Sequence, residues 1–288
     1  MKTRLLGLCI GALLAGMTVS AGASADSDQR FAAGERMLAE GNFHAALEAW
    51  DAAAQADRAN LDLQQQFAVL RQVVQLRDVI KTETDPQRYE TITSALRAFY
   101  YEHGLYAEAL PLDRQRHERG PSAESAAPLA ETLLELGRDA EASAALTSFA
   151  GPDAPPAARI LGGIAFARQG RVDEARAVAA ALALPDGTPA QTLFHAARLQ
   201  ALAGDAQAAV ALLTRALQAT APSAQAARCS YVRACPDFAS LAATPGFAGA
   251  LETASKVSES KCSQAPSCGG CPRAKACAQA KPPSERTE

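Results

Sequence analysis

Gly137-Arg138-Asp139-Ala140-Glu141-Ala142 is the stretch on which the reading of this chain turns. A close variant follows as Gly170-Arg171-Val172-Asp173-Glu174-Ala175. Earlier variants are Gly41-Asn42-Phe43-His44-Ala45-Ala46-Leu47 and Gly104-Leu105-Tyr106-Ala107-Glu108-Ala109-Leu110. The last is Gly204-Asp205-Ala206-Gln207-Ala208-Ala209. In each, a glycine is followed five positions later by an alanine. From Gly104 onward the glycines are 33, 33 and 34 residues apart, the period of a stacked helix–turn–helix unit. A glycine ends a helix because it accepts a left-handed backbone without a β-carbon clash. An alanine five residues on suits a close helix crossing, where a larger side chain forces the axes apart.

Around these glycines the apolar residues fall at helical spacing, as with Leu129, Leu133 and Leu136, or Leu199, Leu202, Leu212 and Leu213. Hydrophobic residues make up 48% of the 288-residue chain but aromatic residues only 5%. The apolar content is therefore largely alanine and leucine, which favours helices and gives strands little to use. A helix pair cannot bury its stripe alone; stacked neighbours bury it jointly.

These residues resemble the tetratricopeptide repeat. Gly34, Gly41, Phe43, Ala46, Trp50 and Ala53 sit at characteristic positions in the first unit. Gly163, Phe166, Gly170 and Ala175 do so in the fourth, and Gly204, Ala209, Ala216 and Pro222 in the last. The resemblance covers residues 28–222 with one gap. It implies an all-α fold, an α-solenoid of stacked antiparallel helix pairs, over residues 26–254. In the gap, residues 59–81 read as one long helix with Leu63, Phe67, Leu70, Val74 and Val79 on its apolar side, an extra helix or a degenerate repeat. Asp85-Pro86 starts the next helix. After Pro222, residues Asp237-Phe238, Leu241, Pro245-Gly246-Phe247 and Leu251 look like a short helical cap over the last repeat's apolar face. From Ser255 to Glu288 no apolar period remains, and a cysteine-bearing tail without a packed core is expected.

The N-terminus reads as a secretory signal peptide over residues 1–25: Lys2 and Arg4, then an apolar run from Leu5 to Val19, then Ala23-Ser24-Ala25 before Asp26. Cleavage after Ala25 predicts a periplasmic or secreted protein with no membrane span. It removes Cys9 and leaves six cysteines in an oxidising compartment. Those six are Cys229, Cys235, Cys262, Cys268, Cys271 and Cys277. Three disulfides are the plain reading, with Cys229–Cys235 favoured by proximity. The tail spacing C-x5-C-x2-C-x5-C also admits a four-thiolate metal site at Cys262, Cys268, Cys271 and Cys277, or a redox pair at Cys268 and Cys271. Haem attachment is excluded, because Pro272 stands where the histidine belongs.

No cofactor, nucleophile elbow, Walker loop or zinc-helix motif is visible, and the four histidines stand at no ligand spacing. The formal net charge of -3 argues against nucleic acid as a partner. The body is acidic, with 28 Asp+Glu against 20 Lys+Arg over residues 26–254, whereas the tail carries a basic excess. Family resemblance implies a non-catalytic scaffold that holds a protein or peptide partner along the first helix of each pair. The positions carried over are Tyr101, Glu102, Glu131, Leu134, Arg168, Phe194 and Arg198. They lack the lysine, arginine and asparagine pattern that grips a peptide C-terminal carboxylate in that family. Metal or thiol handling by the tail is the alternative function.

Overall fold

A computed structural model describes residues 25–149, 151 and 154–258. The signal-peptide residues before Ala25 lie outside these residues, as do the tail cysteines Cys262, Cys268, Cys271 and Cys277. Thirteen α-helices follow one another among the described residues, and no strand is present there. Contacts divide them into two compact units, one ending at Ala183 and the other beginning at Leu184.

The first unit contains α1 (Ala25–Ala39), α2 (Phe43–Ala56), α3 (Leu61–Val79), α4 (Pro86–Glu102), α5 (Tyr106–Arg119), α6 (Ala123–Glu135), α7 (Asp139–Leu146), α8 (Pro156–Arg168) and α9 (Val172–Ala180). The second contains α10 (Ala190–Ala203), α11 (Ala206–Gln218), α12 (Pro222–Ala234), a 3-10 turn (Pro236–Leu241) and α13 (Phe247–Leu251).

The five recurrent glycines behave as their spacing demands. Gly41, Gly104, Gly137, Gly170 and Gly204 all take positive φ, from 67° to 93°. At each, the glycine N–H donates to the carbonyl three residues back, and the next N–H donates to the carbonyl five residues before it. For Gly137 these are Leu134 O at 3.0 Å and, from Arg138, Leu133 O at 2.8 Å. This paired closure satisfies the last carbonyls of the helix and turns the chain into its partner. The alanines five residues on, at positions 46, 109, 142, 175 and 209, are all 0% exposed. Sequence period, turn geometry and helix contact therefore share one cause.

In α1 and α2 the crossing is closest at Gly34. A β-carbon there would lie 2.2 Å from Cδ1 of Trp50. The indole stacks on Phe31 with centroids 4.8 Å apart, and its Nε1 donates to Phe31 O at 3.2 Å. An aromatic core continues from here through Phe43, Phe99 and Tyr100. The pairs α6/α7 and α8/α9 use smaller residues, with Ala126, Ala130, Ala158 and Ala165 fully buried.

The interval between Gly41 and Gly104 resolves into a single additional helix, α3, rather than a degenerate pair. Asn60 caps it, accepting from the N–H groups of Asp62 and Leu63, and Asp85 caps α4 by accepting from Arg88 N. Near the end of α3, Arg77 lies 3.7 Å from the Phe43 ring centroid and donates to Tyr100 Oη at 2.7 Å and Glu108 Oε2 at 2.8 Å. The extra helix is thereby tied to α2, α4 and α5 at once.

In the second unit, the segment beyond Pro222 is larger than the sequence suggested, because α12 precedes the expected short helices. Val232, Cys235, Phe238, Leu241 and Ala250 share a core with Leu193, Phe194, Leu213 and Leu217. The closing stretch of chain is pinned by Lys256 N to Gln218 O at 2.8 Å and Ser255 Oγ to Thr220 O at 2.7 Å.

Candidate functional site

The first helices of successive pairs, α4, α6 and α8, carry most of the positions that the family resemblance singled out. Between α4 and α6 the structure assembles a polar cluster. Arg97 of α4 donates from Nε to both oxygens of Asp113 on α5, at 3.1 and 3.2 Å, and from Nη2 to Glu131 Oε2 on α6 at 2.6 Å. Thr132 donates its hydroxyl to Asp113 Oδ2 at 2.5 Å, so Tyr101 must be the donor in its 2.6 Å bond to Thr132 Oγ1. The guanidinium lies 4.0 Å from the Tyr101 ring centroid. Three helices are joined by one arginine fork, two carboxylates, a hydroxyl and a phenol.

The electrostatics follow from this crowding. Burial opposes the Arg97 charge, but Glu131, Tyr101 and Asp113 outweigh it and hold the guanidinium pKa above its ordinary value. Burial pushes the Tyr101 phenol well up, and the nearby Glu131 charge adds to it. Burial also lifts the Asp113 carboxyl, against the pull of Arg97 and the Thr132 bond. These groups hold one another in place. A shared network of this kind fixes side chains and spacing between helices.

Of the seven expected partner-contacting residues, Tyr101 and Glu131 meet in this cluster. Glu102 is exposed on α4 beside it. Arg168 of α8 reaches back one repeat and donates from Nη1 to Leu134 O at 2.6 Å, with Asp139 Oδ1 at 3.5 Å. It thus caps the carbonyl end of α6 while staying half-buried.

The other three are core residues. Leu134 is 1% exposed and packs inside the first unit, so its carbonyl is used but its side chain is not offered to a ligand. Phe194, 2% exposed, is covered by Tyr231 and Phe238 at centroid distances of 5.4 and 5.5 Å, with the Arg228 guanidinium at 4.7 Å. Arg198 is 0% exposed, and its Nε donates to Asp237 Oδ2 at 2.8 Å. The family positions on α10 are therefore occupied by the chain's own α12 and 3-10 turn.

Arg97, Asp113 and Thr132 escaped the sequence reading. The one available signal was that Arg97 and Glu131, of opposite charge, are 34 residues apart, one repeat period. No such period links Arg198 to Asp237, which belongs to the closing segment. Cys229, half-buried, and Cys235, buried, stand unbridged in this structure. Six residues along a helix correspond to about 9 Å of rise, whereas bridged Cα atoms lie within roughly 7 Å. Among the described residues no group of three His, Cys, Asp or Glu side chains is arranged to hold a metal ion. No described helix is long and apolar enough to cross a membrane.

No family model matches the chain, and no curated protein matches it. Among solved structures, a thermophilic tetratricopeptide-repeat protein of Thermus thermophilus is similar at 21% identity. That alignment covers 72% of this chain and 98% of the other, with a TM-score of 0.38. A tetratricopeptide-repeat protein from Parabacteroides merdae is similar at 16% identity, covering 80% and 94%, with a TM-score of 0.43.

Proposed function

We propose that this protein is an exported, non-catalytic scaffold that binds a protein or peptide along the first helices of its stacked pairs, α4, α6 and α8. The observation that carries this reading is the set of bonds one repeat apart between those helices: Arg97 to Glu131, Tyr101 to Thr132, and Arg168 to Leu134 O. They lock neighbouring helices into a pre-organised face, and pre-organisation lowers the entropic cost of binding. The contact set narrows to Tyr101, Glu102, Glu131 and Arg168, joined by the exposed Ala98 one turn before Glu102. Glu102, exposed on α4, gives this face an acidic group suited to a partner with basic or hydrogen-bond-donating groups, while Glu131 is buried and engaged by Arg97.

Export is read from the sequence pattern of residues 1–25. Cleavage after Ala25 would place Asp26 and Asp28, in the first described turn of α1, at the start of the mature chain. A mature chain would keep the favourable placement of those two acids at a helix N-terminus.

The test is site-specific photo-crosslinking in the native compartment, with a benzophenone side chain at Ala98, at Glu102 and, as a control, at the exposed Glu118 of α5. Adducts of one mass at positions 98 and 102 and none at 118 are expected. Equal yields at all three positions, or none at any, overturn the assignment of the face. The mass of the exported protein, read in the same preparation, should begin at Asp26.

A further inference from the structure

Cys235 is the residue that joins α12 to the 3-10 turn over α10. Its N–H donates to Tyr231 O at 2.9 Å, closing the last turn of α12, and its carbonyl accepts from Phe238 N at 3.1 Å, opening the next turn. The side chain is 8% exposed and packs with Val232, Phe238 and Leu241. Cys229, six residues earlier, is half-buried, and its Sγ donates to Leu251 O at 3.5 Å. The rise of the helix keeps these two residues too far apart to bridge while the end of α12 stays folded. The turn that follows carries Asp237, which holds Arg198, and Phe238, which covers Phe194.

We propose that Cys229 and Cys235 form a redox switch on this cover. As two thiols they leave it shut. A Cys229–Cys235 disulfide draws Cys235 out of the core, breaks the bond to Tyr231 O and withdraws Asp237 and Phe238, baring Arg198 and the side of Phe194 that Phe238 covers on α10. The proposal rests on the reading of first helices as the binding face and adds a second, conditional patch to it, one with an arginine and an aromatic ring suited to an acidic, aromatic-containing segment. The present occupant, Asp237-Phe238, has that chemistry.

The oxidant is a small-molecule disulfide of the glutathione class. The more accessible Cys229 attacks it as the thiolate, forming a mixed disulfide and releasing one glutathione. Cys235 then attacks the Cys229 sulfur as the last turn of α12 opens, releasing the second. Two protein thiols are oxidised, one glutathione disulfide is reduced, and the two thiol protons end on the two glutathiones. Because lost packing opposes the bridge, it should be more readily reduced than a structural disulfide.

Trypsin cleaves after Arg228, Arg233 and Lys256, so peptides 229–233 and 234–256 stay joined only when the bridge exists. The experiment uses the full-length protein with Cys262, Cys268, Cys271 and Cys277 changed to Ser, equilibrated with oxidised glutathione and then re-reduced with dithiothreitol. The joined peptide should appear, and amides of residues 234–242 should exchange on the order of ten-fold faster, both effects reversing on reduction. Cys229→Ser should abolish both; if that variant does not fold, the re-reduced sample is the reference. Absence of the joined peptide under excess oxidant, or its presence with unchanged amide exchange, overturns the switch. The readouts are a bond and backbone protection, so either failure leaves the crosslinking test of α4 independent.

Discussion

The clusters around Arg97 and Arg198 set an arginine at similar places on the first helix of a pair and treat it differently. Arg97 is shared between two carboxylates from two other helices and keeps 20% of its side chain exposed. Arg198 has its carboxylate from the closing segment, and the pair is 1% and 4% exposed. The first is a joint between repeats and continues the array. The second is a stopper, made where α12 and the 3-10 turn follow in place of another such pair. A cover for an exposed first-helix face is needed wherever a solenoid ends, and here the cover carries its own charge.

The largest effect should come from breaking the closed pair. Asp237→Ala leaves the Arg198 guanidinium buried beside a lost partner and should cost about 3–5 kcal/mol, read by urea unfolding. Replacing both groups with apolar residues, Arg198→Met with Asp237→Leu, should return stability to within about 1 kcal/mol of the parent or above it. A double variant as damaged as the single one would mean that the pair does more than close the core. At the Arg97 cluster, Arg97→Met should cost less, about 1–3 kcal/mol, because the buried Asp113 keeps the Thr132 hydroxyl as a donor and the Glu131 side chain retains 11% exposure. A larger loss there than at Asp237 would reverse the distinction between joint and stopper. Thr132→Val removes the hydroxyl that donates to Asp113 and accepts from Tyr101, and should cost about 1–2 kcal/mol in the same assay.

The smallest lever is pH, through His103 at the end of α4. The ring stacks on Phe99 at 4.3 Å and lies 6.3 Å from Trp50. Burial lowers its pKa, against the pull of Glu102. In the folded protein it therefore stays neutral below the unfolded value of about 6.5, where the unfolded chain already binds a proton. Its contribution to stability is intact above that value and is lost as pH falls from about 6.5 toward the depressed folded pKa, by at most about 1.4 kcal/mol per pH unit. His103→Gln should flatten the slope of the urea midpoint between pH 7 and 5. An unchanged slope would assign it to other groups.

The elements legible in the sequence were those governed by local rules. A left-handed turn needs glycine and a close crossing needs alanine, so five turns and five contacts announced themselves by spacing. The helix start at Asp85-Pro86 was legible because a capping acid precedes a proline at the first helical position. The surroundings of the candidate partner positions were less so. Positions carried over from the repeat pattern assume a neighbour like any other. Tyr101 and Glu131 have a following repeat and are drawn into the cluster between α4 and α6, whereas Phe194 and Arg198 have α12 and the 3-10 turn instead. Leu134 failed because only its carbonyl is used. Asp113 was invisible because an isolated aspartate in a helix reads as solvent-facing until its partners on α4 and α6 are known. For Cys229 and Cys235, closeness in sequence stood in for closeness in space, and helical rise separates the two.

The lone helix α3 has a further consequence. Inserting one helix into an up-and-down array should reverse the sense of everything after it. Here the turn at Gly104 still lies beside the turn at Gly41: the Phe43 and Tyr100 rings are 5.8 Å apart, and a β-carbon on Gly41 would meet Glu108 at 3.3 Å. Residues 80–85, a turn followed by an irregular stretch, join α3 to α4, and the C-terminal ends of α1 and α4 lie on one side of the first unit. A single helix is thus accommodated between pairs without parting the Gly41 and Gly104 turns.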